Sequence, residues 1–171
     1  MAEVAHLVRK CFPNPTVIMQ DVGDKACVSV SLTRKSRAER SATVTEAVES
    51  SGIFDPRAPE WRPFLDAIAY TRLPRGDLYE YLRAMAGDIM LARAIDALGF
   101  YPQARVGDQE RILVLVNRYN VVRSGARQLY GQRGGPDVTL SESAKLRVRI
   151  RKAEYQQNAI LDEIKELCHG R

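Results

Sequence analysis

Five cations fall within eight residues of the C-terminal third of this chain: Lys145, Arg147, Arg149, Arg151 and Lys152, with no acid among them. On a helix, Lys145, Arg149 and Lys152 take one flank of an apolar seam through Leu146 and Ile150, and Arg147 and Arg151 take the other. Ammonium point charges and arginine forks arranged in this way suit a phosphate backbone or an acidic protein surface. The plain alternative is a solvated helix face, offset elsewhere on the helix by Glu142, Glu154 and Glu163. A basic run without interleaved aromatic residues is weak evidence for nucleic-acid recognition taken alone. A smaller basic pair, Arg34-Lys35, ends an alternating apolar run and joins the same candidate binding set.

Other chemistries lack their residues. His6 and His169 stand at opposite ends of the sequence, with no cysteine or acid at ligand spacing, so neither a metal nor a cofactor is expected. Cys168 and His169 are adjacent, but neighbouring side chains on a helix diverge, which is poor geometry for a nucleophile and its base. The glycines of 131–135 lack a preceding strand and a Walker lysine and hydroxyl, so they do not form a phosphate-cradling loop. A metal-dependent nuclease core needs an acid on one strand and, on the next, an acid two residues before a lysine. Asp21 can supply the first acid, but Thr33 stands where the second is required before Lys35. The sequence therefore names no catalytic residue, and a non-enzyme is expected.

Composition sets the frame for these residues. A chain of 171 residues, 45% of them hydrophobic, supports one core of ordinary size. Its net charge of +5 permits a polyanionic partner without requiring one. Three cysteines without CxxC spacing, and no apolar leader, point to a reducing cytoplasm. No window approaches the 18 or so apolar residues of a membrane span.

The elements that must position the candidates follow from periodicity. Val17-Ile18-Met19, the turn residues Asp21-Val22-Gly23-Asp24, and the alternation of Ala26, Val28, Val30 and Leu32 with Cys27, Ser29, Ser31 and Thr33 predict a β-hairpin over 16–33 with one apolar face. A short helix over 2–11 precedes it, stopped by Phe12-Pro13-Asn14-Pro15. A polar loop carrying Arg34, Lys35, Arg37 and Arg40 follows it, and a third strand is expected over 41–48, although Glu46-Ala47-Val48-Glu49 would also tolerate a helix. Ile53, Phe54 and Trp61 read as packing anchors of a proline-rich connection. A helix over 76–98, with Leu78, Leu82, Met85, Ile89 and Ala92 as its stripe and Gly99 to end it, is the expected cover of the sheet.

Two heptad-like helices complete the chain. Asp108 is a candidate cap for the first, which carries Leu115, Tyr119, Val122, Ala126 and Leu129 and breaks at 131–137. Thr139 and Glu142 have capping-box spacing and open the second, whose seam runs through Leu146, Ile150, Gln157, Ile160, Ile164 and Leu167. The run 145–151 also alternates at period two, as a strand would, but the seam continues well beyond it. The expected fold is α+β: a small antiparallel sheet packed by helices (1–104), then an antiparallel helical hairpin (105–171).

The segment order resembles a prokaryotic family of unknown function encoded beside restriction-modification methyltransferases and helicases in defence islands. The resemblance spans nearly the whole chain. It rests on a short helix running into Phe12-Pro13-Asn14-Pro15-Thr16-Val17-Ile18, on 25–35 ending in a basic pair, on Asp77-Leu78-Tyr79-Glu80-Tyr81-Leu82, and on the tail 145–167 with Glu154-Tyr155-Gln156-Gln157-Asn158. It implies an accessory subunit of a defence system, here a short variant without a further N-terminal segment, and brings no catalytic residues. The expected function is a non-catalytic interaction subunit. Leu146, Ile150, Ile160, Ile164 and Leu167 would face a helicase or methyltransferase, and the basic residues would face DNA or an acidic surface. Two rivals stand beside it: a degenerate nuclease using Asp21, Asp24 and Lys35 completed by a partner, and a homo-oligomer pairing through the same seam with Gln157 setting its register.

Overall fold

A computed structural model describes residues 8, 14–35, 43–103, 108–135 and 138–169. The expected helix over 2–11 lies outside them except for Val8, which is helical, and so does the loop 36–40. Packing divides the chain into a unit of Met1–Ile95 with Gly99–Tyr101, and a second of Asp96–Leu98 with Pro102–Arg171.

In the first unit, β1 (Thr16–Val22), β2 (Lys25–Lys35) and β3 (Thr43–Ser50) form an antiparallel sheet in the order β1-β2-β3. Val22 pairs with Lys25 across the two-residue turn Gly23-Asp24. Gly23 takes φ of 64°, the left-handed backbone that a side chain at the first turn position would resist. Asp21 and Val22 are thus strand residues rather than turn residues.

The central strand departs from the half-buried pattern that its alternation suggests. Its apolar face is buried as expected, but Cys27, Ser29 and Ser31 of the other face are buried too, both serines at 2% exposure. Ser31 is accommodated because its hydroxyl accepts from the Thr16 amide at 3.2 Å and lies 3.3 Å from the Thr16 carbonyl, to which it donates. Small hydroxyls that satisfy themselves on neighbouring backbone can be buried on a sheet at little cost.

After β3 the chain stays on the sheet. The Ser51 hydroxyl accepts from the Val28 amide at 3.1 Å, and Phe54 bridges to Ala26. Phe54 stacks on Trp61 with ring centroids 4.3 Å apart, and Phe64 meets both edge-on. Phe54 and Trp61 are therefore the expected anchors, whereas Ile53 is 57% exposed and anchors nothing.

A 3-10 turn, Pro59–Trp61, leads into α1 (Arg62–Ala67). The cover of the sheet is α2 (Leu78–Ala92), which packs on β2 and β3. Asp77 caps it, accepting from the Tyr79 amide at 2.7 Å. Its buried face is Leu82, Met85, Ala86, Ile89, Leu91 and Ala92, so Leu78, the first residue of the expected stripe, is instead exposed.

The helix also ends sooner than the run of apolar residues suggests. It turns at Arg93-Ala94 before a short α3 (Ile95–Leu98) that Gly99 closes with φ of 78°. At the stop the backbone tightens, with the Ala94 amide bonded to the Leu91 carbonyl at 3.1 Å; the Arg93 Nε donates to the Ser50 carbonyl at 2.8 Å and its guanidinium lies 2.7 Å from the Glu49 carboxylate. That clamp ties the end of α2 to the end of β3. Tyr101 donates its hydroxyl to Asp88 at 2.8 Å, and burial pushes the Asp88 carboxyl above its ordinary range.

The second unit is the pair α4 (Gln109–Arg133) and α5 (Leu140–His169), packed closely along their length. The connection of six residues forces them antiparallel, and cross-helix contacts agree: Arg111 near the start of α4 meets Glu163 near the end of α5 at 2.7 Å. Tyr130 donates its hydroxyl to Glu154. The first helix runs through Gly131, where the sequence suggests a break, and stops at Gly134. Asp108 stands at its N-cap without a side-chain capping bond.

The capping box of α5 forms in full. Glu142 accepts from the Thr139 amide at 3.0 Å, and the Thr139 hydroxyl accepts from the Glu142 amide at 3.3 Å. The Thr139 hydroxyl, and then its amide, hold the Glu142 carboxyl below its usual range. The box consequently stays closed until pH falls through that lowered value.

Candidate nucleic-acid interface

The helix assignment decides what the period-two run 145–151 can do. On α5 Leu146 and Ile150 turn towards the seam, half-buried and buried respectively, while Val148 points outward at 69% exposure. All five cations of the cluster, Lys145, Arg147, Arg149, Arg151 and Lys152, are exposed. None of them is ion-paired to another described residue. Further along the same helix the charge is different in kind, with Glu163 bound to Arg111 and Lys165 3.4 Å from Asp162.

The antiparallel partner helix adds to the same end. The last turns of α4 lie beside the first half of α5, and they bring Arg127 and Arg133, both exposed. Arg118 is exposed on the outer side of α4, and Arg123 lies over the Tyr119 ring at 6.0 Å. From Arg118 to Lys152 there are nine basic and two acidic residues, a net of +7 that exceeds the +5 of the whole chain. The remainder of the protein is thus net acidic, and the net positive charge falls in the stretch from the middle of α4 to the first half of α5.

Reading one run of sequence misses Arg118, Arg127 and Arg133. Their signal was available as a charge count over both heptad helices, since an antiparallel pair superposes the end of one on the start of the next.

A groove of about 450 Å³ opens at this end. It is lined by Gln132, Gly135, Val138, Glu142, Lys145, Leu146 and Arg149. Lys145 and Arg149, one helical turn apart, give it two cationic walls, while Glu142 is engaged in the capping box. An arginine fork and an ammonium group at that spacing can hold a phosphate as charge-assisted hydrogen bonds.

The expected partner seam is used differently. Ile150, Ile160 and Ile164 are buried, and Leu146 and Leu167 are half-buried, in a helix whose packing neighbour is α4. Ile112, Leu115, Val116, Tyr119 and Ala126 are the buried face of that neighbour. The chain covers the seam itself. A partner or a second copy would have to open the helical hairpin to reach it, so the free surface is the outer, basic side.

The second basic pair and the nuclease remnants lie in the other unit. The backbone of Arg34 and Lys35 stands at the end of β2, paired towards Thr43 and away from the Gly23-Asp24 turn. Asp21 pairs with Ala26 beside that turn, nine residues before Lys35, a separation of roughly 30 Å along an extended strand. Asp24 meets Arg57 at 3.1 Å and is likewise at the turn. Asp21, Asp24 and Lys35 therefore occupy opposite ends of the β-hairpin and cannot converge on one phosphate. No group of three or more His, Cys, Asp or Glu side chains is placed to hold a metal among the described residues.

Among the described residues no helix is long and apolar enough to cross a membrane. No protein-family model, no curated protein and no solved structure matches this chain.

Proposed function

We propose that this protein is a non-catalytic subunit that binds DNA through the loop end of its C-terminal helical hairpin, in the cytoplasm, as an accessory component of a prokaryotic defence or restriction-type system. The observation that carries the binding half is the row of five exposed cations on α5 without described acidic partners, joined by Arg127 and Arg133 of α4. Unpaired cations on a folded surface retain a shell of small anions, and a polyphosphate that displaces them gains from releasing its own condensed counterions. The system-level half rests on the resemblance of 12–18, 25–35, 77–82 and 145–167, which implies a helicase or methyltransferase as protein partner. With the seam covered, that partner would meet the outer faces of the helical hairpin or the first unit.

The acidic-surface alternative uses the same cations but lacks the steep salt dependence of a nucleic acid. Fluorescence anisotropy of a labelled duplex across a salt series tests the binding half. With about four phosphates neutralised at once, the logarithm of the binding constant falls against the logarithm of salt with a slope near −3.6. A slope close to zero, or no binding at low salt, contradicts the reading.

A further inference from the structure

The outer face of α5 carries more than charge. Tyr155 is 77% exposed and Val148, two turns before it, is 69% exposed. Residues seven apart lie on one line along a helix. Arg151 and Lys152 are one turn before Tyr155, four and three residues away, so the phenol ring has cations at its N-terminal side. The ring makes no hydrogen bond to another described residue, and no described aromatic ring is within stacking range. A tyrosine left bare in this way, one turn beyond the acid-free basic stretch 145–152 and next to a Glu154 that already accepts from Tyr130, supplies the aromatic element that the cation run itself lacks.

Resting on the DNA-binding reading above, we propose that this face takes a single-stranded nucleic acid in preference to a duplex, with a base stacked on the Tyr155 ring and the neighbouring phosphates on Arg147, Arg151 and Lys152. A smooth helix can lay cations along either form, because both present phosphates. Only an unpaired base offers a ring face to a side chain lying flat on that helix, since duplex bases are stacked on one another. Stacking is indifferent to base identity, so the preference is for strandedness rather than sequence. Nothing in the contact distinguishes ribose from deoxyribose: the shared ligand chemistry is a flexible phosphodiester chain with exposed bases.

The test uses the full-length chain, labelled oligo(dT), oligo(rU) and a duplex of equal length, with binding read by anisotropy at fixed salt. Tyr155→Ala lowers affinity for the single strands roughly tenfold and leaves the duplex unchanged, while Tyr155→Phe retains the single-strand affinity because the ring remains. Circular dichroism of each variant controls for folding, and the exposed position makes unfolding unexpected. Equal affinity of Tyr155→Ala and the natural chain for single strands, or tighter binding of the duplex, overturns the strandedness proposal while leaving the DNA-binding reading in place. Failure of the natural chain to bind any of the three probes overturns both. A preference between oligo(dT) and oligo(rU), with the tyrosine effect present, supports the proposal and identifies the source of the strand.

Discussion

Replacing Arg147, Arg149 and Arg151 together by glutamate lowers affinity for DNA by at least roughly 100-fold at moderate salt. The size follows from the change in charge. Three cations become three anions within a stretch whose net charge exceeds that of the whole chain, so attraction is removed and repulsion added at adjacent phosphates. The fold should survive, because all three side chains are exposed and unpaired among the described residues. Glutamate is also a good helix former, so the helical backbone at these interior positions is retained. The matching lysine triple retains most of the affinity, since the counterion-release part of phosphate-backbone binding depends on the number of cations and not on whether they are lysine or arginine. Anisotropy on the glutamate and lysine triples, beside circular dichroism, separates loss of charge from loss of structure. Undiminished binding by the glutamate triple would remove the cluster from the interface.

Two apolar residues inside the same run are expected to behave oppositely. Ile150→Ala destabilises the helical hairpin by about 2–5 kcal/mol, the cost of the lost burial and of the cavity left at a packed site. Val148→Ala changes stability by less than about 0.5 kcal/mol, because its side chain already stands in water and alanine is the better helix former. Were 145–151 a strand, Leu146, Val148 and Ile150 would share one face and both substitutions would cost similar amounts. Urea denaturation of the two variants therefore reads the secondary structure that sets the direction of the arginines. Equal destabilisation would mean that Arg147, Arg149 and Arg151 share one face, and the two-flank geometry would fall with it.

Where the sequence is transparent, a local signal has one physical reading. The β-hairpin is specified by period-two alternation interrupted by Gly23, which alone tolerates the positive φ of the turn. Likewise Thr139 and Glu142 announce the start of α5 through a reciprocal pair of hydrogen bonds that needs only four residues.

The opaque features depend on residues distant in sequence. Ser29 and Ser31 read as the wet face of β2, yet both are buried on the central strand, and Ser31 finds its partner on the Thr16 backbone of β1. The end of α2 at Arg93 is tied to Glu49 and Ser50, more than forty residues earlier, and no propensity records that clamp. For the candidate interface, the cations of α5 were legible as a run. Their reinforcement by Arg127 and Arg133 required the register of two helices. The burial of Ile150, Ile160 and Ile164 within the chain required knowing that the connection folds the helices onto one another, which turns a seam for a partner into a seam for α4. Tyr155 was legible only as a letter, because its exposure beside Arg151 is a property of the outer face that remains once the seam is taken.

The most direct measurement is photo-crosslinking of a bound, photoreactive oligonucleotide to the full-length chain, with the modified peptides mapped by mass spectrometry. Crosslinks concentrated on peptides spanning 145–155 and 127–133, and lost when salt releases the strand, are the expected result. Crosslinks confined to the peptide carrying Arg34 and Lys35, or spread without preference over the chain, would contradict the loop end of the helical hairpin as the binding site.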